Sequence, residues 1–272
     1  MIELAVARLE AEERLRPEGS GRGPRYIWVD AFCASQNLLN GAYLPTNARE
    51  RAKLKTADPK AYAAQTEDIS SIFVDALNAV DEIILHLSPL TQEWRAPRQP
   101  FLLSERGAPP KDWQRKGPQA LSRAWCILEV AKCLEKECAL HVVLNPAETS
   151  QLDATLEERF DDIAQVITAF DARDAQVSHT DDQVYIAEQL QQLQGGLSWV
   201  SASVRDVLRE WLATEGRAAL QRMPSALWGT SSLLNNLGKL RQEQGKLEEA
   251  EPLFRLALRE SEEALGVSAL GA

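Results

Sequence analysis

A chain of 272 residues with 44% hydrophobic and 26% charged side chains can build its own core without disulfides or metal, as one large domain or two smaller ones. No apolar run approaches the length of a membrane span; stretches such as Ile83–Leu87 are far too short, and the early acids and absent basic n-region at the N-terminus argue against a secretory signal. Thirty Lys plus Arg against 40 Asp plus Glu leave a net charge of −10, a field that repels phosphate backbones, so neither nucleic acid nor membrane is expected as a partner.

Taken in chain order, Ile2, Val6 and Leu9 predict a short amphipathic helix over 2–15, broken by Pro17 and the glycine-rich run 19–24. That run precedes a strand and opens no helix, so it reads as a turn or linker and not as a phosphate loop. Tyr26–Cys33 predicts a buried strand, and residues 34–65 a long loop with room for a helical turn. Ile69, Ile72, Phe73, Ala76, Leu77 and Val80 line one face of a predicted helix over 66–80. Ile83–Leu87 predicts a second strand. Residues 90–120, with five prolines and two tryptophans, read as an irregular insertion. A helix over 121–136 with Ser122 as N-cap follows, then a strand over 139–144 stopped at Asn145-Pro146. A helix is predicted over 153–169 and a short edge strand within 170–179. A capping box at Thr180 and Gln183 opens a helix to Leu193; Gly195-Gly196 stops it, and a further helix covers 199–213. Alternating strands and helices signal an α/β domain with a parallel sheet, whose ligand crevice lies at the carboxyl ends of the strands, here the loops after Cys33, Leu87 and Leu144.

Cys33, Cys126, Cys133 and Cys138 make no C-x-x-C pair and read as reduced, small apolar side chains rather than a metal site. His86 and His141 read as core or edge residues of strands. Asp171, Asp174, Asp181, Asp182 and His179 read as a solvated loop, since they lack a cation-binding register. Trp94 and Trp113 either anchor a partner or pin the insertion to its domain.

On helix 121–136, Cys126, Ile127, Val130, Ala131, Cys133 and Leu134 share an apolar face. Trp125, Glu129, Lys132 and Lys136 share the other side with Ser122. Two readings stay open. One is a solvated glutamate paired with Lys132 beneath an exposed tryptophan. The other is a carboxylate beside an aromatic platform, suited to holding a sugar hydroxyl and stacking a ring.

From residue 231 no strand signal remains. The segment predicts a helical hairpin turned at Gly245-Lys246, with Leu234, Leu237, Gly238, Ala250, Phe254 and Ala257 as packing positions. Gly238 and Ala250 are small, letting two helices approach, and Phe254 fills the groove between them. The wording "QGKLEEAEPLFRLALRESEEALG" resembles the kinesin-light-chain type of tetratricopeptide repeat. A single repeat cannot bury both faces, so it is expected either to pack on the preceding helix or to begin a longer array, of which this chain would be a fragment.

"LSRAWCILEV", after a strand ending in "LSP", resembles the signature of Toll/interleukin-receptor (TIR) domains. "YIWVDAFCASQ" with that later block also resembles heterokaryon-incompatibility (HET) domains, through Trp28, Val29, Asp30, Cys33 and Gln36, then Arg123, Trp125 and Glu129. The resemblance implies an α/β fold with a flavodoxin-like parallel sheet of the TIR type over residues 1–215, the family's first strand having no counterpart here, followed over 216–272 by a helical linker and an all-α tetratricopeptide hairpin. It implies a cytoplasmic signalling or scaffolding protein that binds protein partners through the repeat and self-associates. Many TIR domains cleave NAD. For that alternative the resemblance implies Glu129 as the catalytic carboxylate, Trp125, Asp30 and Ser122 at the substrate, NAD as substrate, and no metal.

Overall fold

The structure, a computed structural model, describes residues 53, 56–60, 82–95, 101–103, 114–177 and 180–266. The predicted helices over 2–15 and 66–80, the glycine-rich run 19–24, the strand Tyr26–Cys33 with Asp30, Cys33 and Gln36, and the residues Trp113 and His179 lie outside them. Contacts divide the chain between Ile84 and Leu85. Of the first part, Thr56, Ala57, Pro59 and Lys60 are helical, within the stretch read as a loop with a helical turn.

Strand β1 (Glu82–His86) and strand β5 (Ala139–Val143) form a two-stranded parallel sheet, extended by a bond from the Leu87 N–H to the Val143 carbonyl at 2.9 Å. Between them runs helix α1 (Ala124–Glu135), completing a strand–helix–strand unit. Helix α1 is buried on more sides than its apolar face accounts for: Ala124 and every residue from Cys126 to Ala131 are buried. The reading of a solvated Glu129 is corrected accordingly, while Lys136 on the same side stays exposed. The cap is corrected too: Arg123 is the N-cap and makes no side-chain cap bond. Ser122 instead lies in a 3-10 turn (Ala120–Ser122), where its hydroxyl donates to the Gln119 carbonyl at 2.7 Å.

The described residues of the insertion include three short strands. Strand β2 (Glu93–Arg95) pairs antiparallel with β4 (Gln114–Lys116), and β3 (Phe101–Leu102) pairs antiparallel with β6 (Gln176–Val177). The short strand expected within 170–179 is therefore present, and its partner is the insertion. These ladders are two or three residues long, so no period-2 pattern announces them.

Helix α2 (Pro146–Thr168) begins seven residues earlier than predicted. Asn145-Pro146, read as a strand stop, is the helix start. Asn145 Oδ1 accepts from the Glu148 N–H at 2.8 Å, and proline at N1 gives up a donor that has no helical partner there. Leu152, Leu156, Phe160, Ile163 and Ile167 form its buried stripe at spacings of three and four. Helix α3 (Thr180–Gln192) starts at the predicted residue, but Gln183 Nε2 donates to the Leu102 carbonyl of β3, tying the helix to the insertion.

Helix α4 (Gly196–Arg222) is longer than the predicted 199–213 and runs unbroken through the boundary expected at 215/216. Helices α5 (Leu233–Glu243) and α6 (Leu247–Ala264) form the predicted hairpin, turned at Gly245 with φ +74°. Among the described residues no helix is long and apolar enough to cross a membrane. The part from Leu85 onward is thus a small α/β unit followed by packed helices.

Candidate functional site

The first turns of α1 carry the residues singled out by sequence. The Trp125 indole N–H donates to Asp182 Oδ2 of α3 at 3.3 Å, and its ring packs against Tyr185, one turn further along α3, with centroids 6.0 Å apart and planes tilted by 35°. Burial raises the Tyr185 hydroxyl above its usual range. Trp125 is therefore half-buried, and the aromatic surface at this point is shared by two rings with a carboxylate at the indole edge. Glu129 lies one helical turn beyond Trp125 and is only 9% exposed, which overturns the reading of a solvated glutamate. The lysine expected to pair with it is engaged elsewhere: Lys132 Nζ lies 3.0 Å from Glu135 Oε2. Ser122 is buried and occupied with its own turn. Asp30 lies outside the described residues. Of the four sequence-predicted site residues, Trp125, Ser122 and Glu129 thus sit on or just before one helix.

Asp182 and Tyr185 were missed as companions of Trp125. Their spacing of three on a helix was visible, but the pairing of α3 with α1 was not.

The loops expected to line a ligand crevice, after Leu87 and Leu144, meet at the carboxyl ends of β1 and β5 and bind each other. The Asn145 N–H donates to Ser88 Oγ at 2.7 Å. Glu148 accepts from the Leu90 N–H at 2.9 Å with one oxygen and from Asn145 Nδ2 at 2.8 Å with the other. Glu148 serves here to join the start of α2 to the loop after β1. His86, in β1, is held below its usual range chiefly by burial, with Glu148 pulling the other way. Leu87, Leu90, Leu121, Ile163 and Trp211 help line a small, partly open apolar pocket.

Asp171 caps the 3-10 turn Ala172–Asp174 and pairs with Arg173 at 2.6 Å, which holds its carboxyl below the usual range. Among the described residues no three His, Cys, Asp or Glu side chains gather as metal ligands. Cys126 and Cys133 are buried, Cys138 is half-buried, and none of the three is in a disulfide.

The hairpin positions pack as their sizes suggested. Leu234, Leu237, Gly238, Ala250 and Ala257 are buried. A Cβ on Gly238 would stand 2.7 Å from Phe254 Cε1, so the glycine is what admits the ring. Leu237 reaches the other way, onto Gly216 of α4, where a Cβ would meet its Cδ2 at 2.7 Å. The hairpin is thus seated on the preceding helix. An ion network secures the same contact. Glu210 of α4 accepts from Arg241 Nη1 at 2.6 Å, Gln244 Nε2 at 2.7 Å and Lys246 Nζ at 2.5 Å, while Arg217 pairs with Glu249 at 2.6 Å. Arg241 is almost wholly buried. Its Nε lies 3.3 Å from Glu249 Oε2 but makes no hydrogen bond.

Helix α6 buries only Ala250 and Ala257 fully. Leu247, Leu258 and Leu265 remain 63, 61 and 77% exposed. Their spacings of eleven and seven place them within about 20° of one another around the helix, with Leu265 at its C-cap, and about 16 and 10 Å apart along it.

No protein-family model, curated protein or solved structure shows significant similarity to this chain.

Proposed function

We propose that this chain is a cytoplasmic signalling or scaffolding protein that binds protein partners through its C-terminal hairpin. In this reading α5 and α6 are one tetratricopeptide repeat joined to a TIR/HET-like α/β domain. The observation that carries it is the exposure of Leu247, Leu258 and Leu265 on α6, a helix that is seated through Ala250, Ala257 and Phe254. Aligned exposed leucines on a rigid helix are what an apolar partner surface, or a second copy of this chain, would cover. The test compares the full chain with Leu247→Glu/Leu258→Glu/Leu265→Glu by sedimentation for self-association and by quantitative affinity capture. Association that vanishes in the triple variant, with its circular dichroism unchanged, is expected. Equal association by both proteins would remove the hairpin from the interaction.

A second reading, NAD cleavage, is supported by a buried carboxylate, Glu129, one helical turn from the Trp125 ring. Glu129 would stabilise the positive charge that develops on the ribose as nicotinamide leaves. Nicotinamide release by the native chain at high concentration, abolished in a folded Glu129→Gln variant, is the expected result. Release unchanged in that variant, or none from the native protein, would dismiss it.

A further inference from the structure

At the end of α1 the chain turns sharply into β5 through a left-handed residue. Glu137 has φ +58°; the Cys138 N–H donates to the Cys133 carbonyl at 3.0 Å and the Glu137 N–H to the Leu134 carbonyl at 3.2 Å. This pair of bonds defines the cap in which the residue two past the C-cap folds back over the last helical turn, and the side chains at its two ends come into contact. Both of those residues are cysteines here. Cys133 Sγ lies 3.5 Å from the Cys138 carbonyl oxygen, and the neighbouring Cys138 thiol helps raise the Cys133 thiol above its usual range. A 3.0 Å bond between their backbones, with fixed covalent lengths on either side, keeps the two Cα atoms within about 7 Å. That is the range a disulfide spans. Cys126 sits seven residues before Cys133 on the same helix, about 10 Å away along the axis, and is out of reach of it.

We propose that Cys133 and Cys138 are an oxidisable pair, closing to a disulfide that staples the C-terminal turn of α1 to the start of β5. The two thiols differ in access. Cys138 is half-buried and meets solvent, whereas Cys133 is 2% exposed. Burial, followed by the neighbouring Cys138, pushes the Cys133 thiol up to about 12, so it stays protonated in the resting protein. Oxidation therefore begins at Cys138. With a hydroperoxide as oxidant, the Cys138 sulfur attacks the O–O bond and becomes a sulfenic acid, and the peroxide is reduced, releasing water when it is hydrogen peroxide. The Cys133 sulfur then attacks the Cys138 sulfur. The S–O bond breaks, the S–S bond forms, and the hydroxyl leaves with the Cys133 proton as a second water. Two thiols and one hydrogen peroxide become one disulfide and two waters; a dithiol reductant reverses the change. The staple would stiffen the helix that carries Trp125 and Glu129. The proposal stands on the cap geometry and is independent of the function proposed above.

The 272-residue chain gives a direct test, because trypsin cuts after Lys132 and Lys136 and so separates the two cysteines. The native protein is treated with hydrogen peroxide, first equimolar and then in excess, blocked with N-ethylmaleimide, and digested without reductant. The expected product is peptide 133–136 joined to peptide 137–159, two hydrogens lighter than their sum and released by dithiothreitol. In a folded Cys133→Ser variant, Cys138 should instead run on to the sulfinic acid. Both cysteines recovered as maleimide adducts after excess peroxide would overturn the proposal. So would native Cys138 found as sulfinic acid, or linked to Cys33, Cys126 or a second chain.

Discussion

Glu210 sits among three donors at the turn of the hairpin. Burial alone would raise its carboxyl, but hydrogen bonds from Lys246, Arg241 and Gln244, with the Arg241 charge, overcome this and hold it at about 2. A carboxylate whose folded value is depressed contributes stability above its unfolded value near 4.5, and that contribution is lost as pH falls toward about 2. Because the side chain is 44% exposed, solvent screening leaves roughly 1 kcal/mol of the nominal gain. Glu210→Gln should therefore lower the urea midpoint at pH 7 by an amount worth about 1 kcal/mol, and the two proteins should converge near pH 2. A constant difference across that range would place the network's contribution elsewhere. None of these pairings could be read from the sequence, since Glu210 lies more than thirty residues from Arg241, Gln244 and Lys246. The same limit explains Glu129. Its helical neighbours were legible, but its burial depends on what packs over α1.

Helix ends show where local signals sufficed. Asn145-Pro146 is a start signal whose meaning was ambiguous, because the same dipeptide also ends a strand. The side-chain bond to Glu148 resolves it. Asn145→Ala should cost about 1 kcal/mol, less than the loss of a whole turn, read as a lower thermal midpoint with little change in helicity. The hairpin was legible as an element from Gly245 and its leucine spacing, and its small residues behave as their size suggests. A tighter contact went unnoticed. A Cβ on Gly229 would fall on the Glu260 carbonyl oxygen and 2.8 Å from Ala264 Cβ, in a place where Ser261 Oγ donates to the Gly229 carbonyl at 3.2 Å. Backbone cannot yield as a flexible side chain does. Gly229→Ala should destabilise the docking of α6 by about 1–3 kcal/mol, seen as faster hydrogen exchange in α6 than in α4. The β2–β4 and β3–β6 ladders are the reverse case: too short for a pattern, they exist only because distant segments meet.

For the part from Leu85 onward, the helices interlock across the boundary expected at 215/216. Arg222 of α4 grips Asp153 of α2 with two bonds of 2.8 and 2.6 Å, Ser232 reaches the Glu157 carbonyl of α2 at 3.3 Å, and Leu237 packs on Gly216. Native-state hydrogen exchange should therefore show α2, α4 and α5 sharing one opening free energy as denaturant rises. Separate opening of α5 would restore an independent hairpin.

The sequence by itself determined what local chemistry controls: the strands at β1 and β5, the helix between them, the hairpin with its glycine turn, and the small residues that let it close. Periodicity, chain breakers and side-chain volume act within a few residues, so they can be read along the chain. Tertiary structure alone decided that Glu129 leaves water, that Trp125 is shared with Asp182 and Tyr185, and that the insertion pairs with β6. Burial, ion pairing and strand partnership are properties of segments brought together, and the separations they bridge carry no mark in either partner's local pattern.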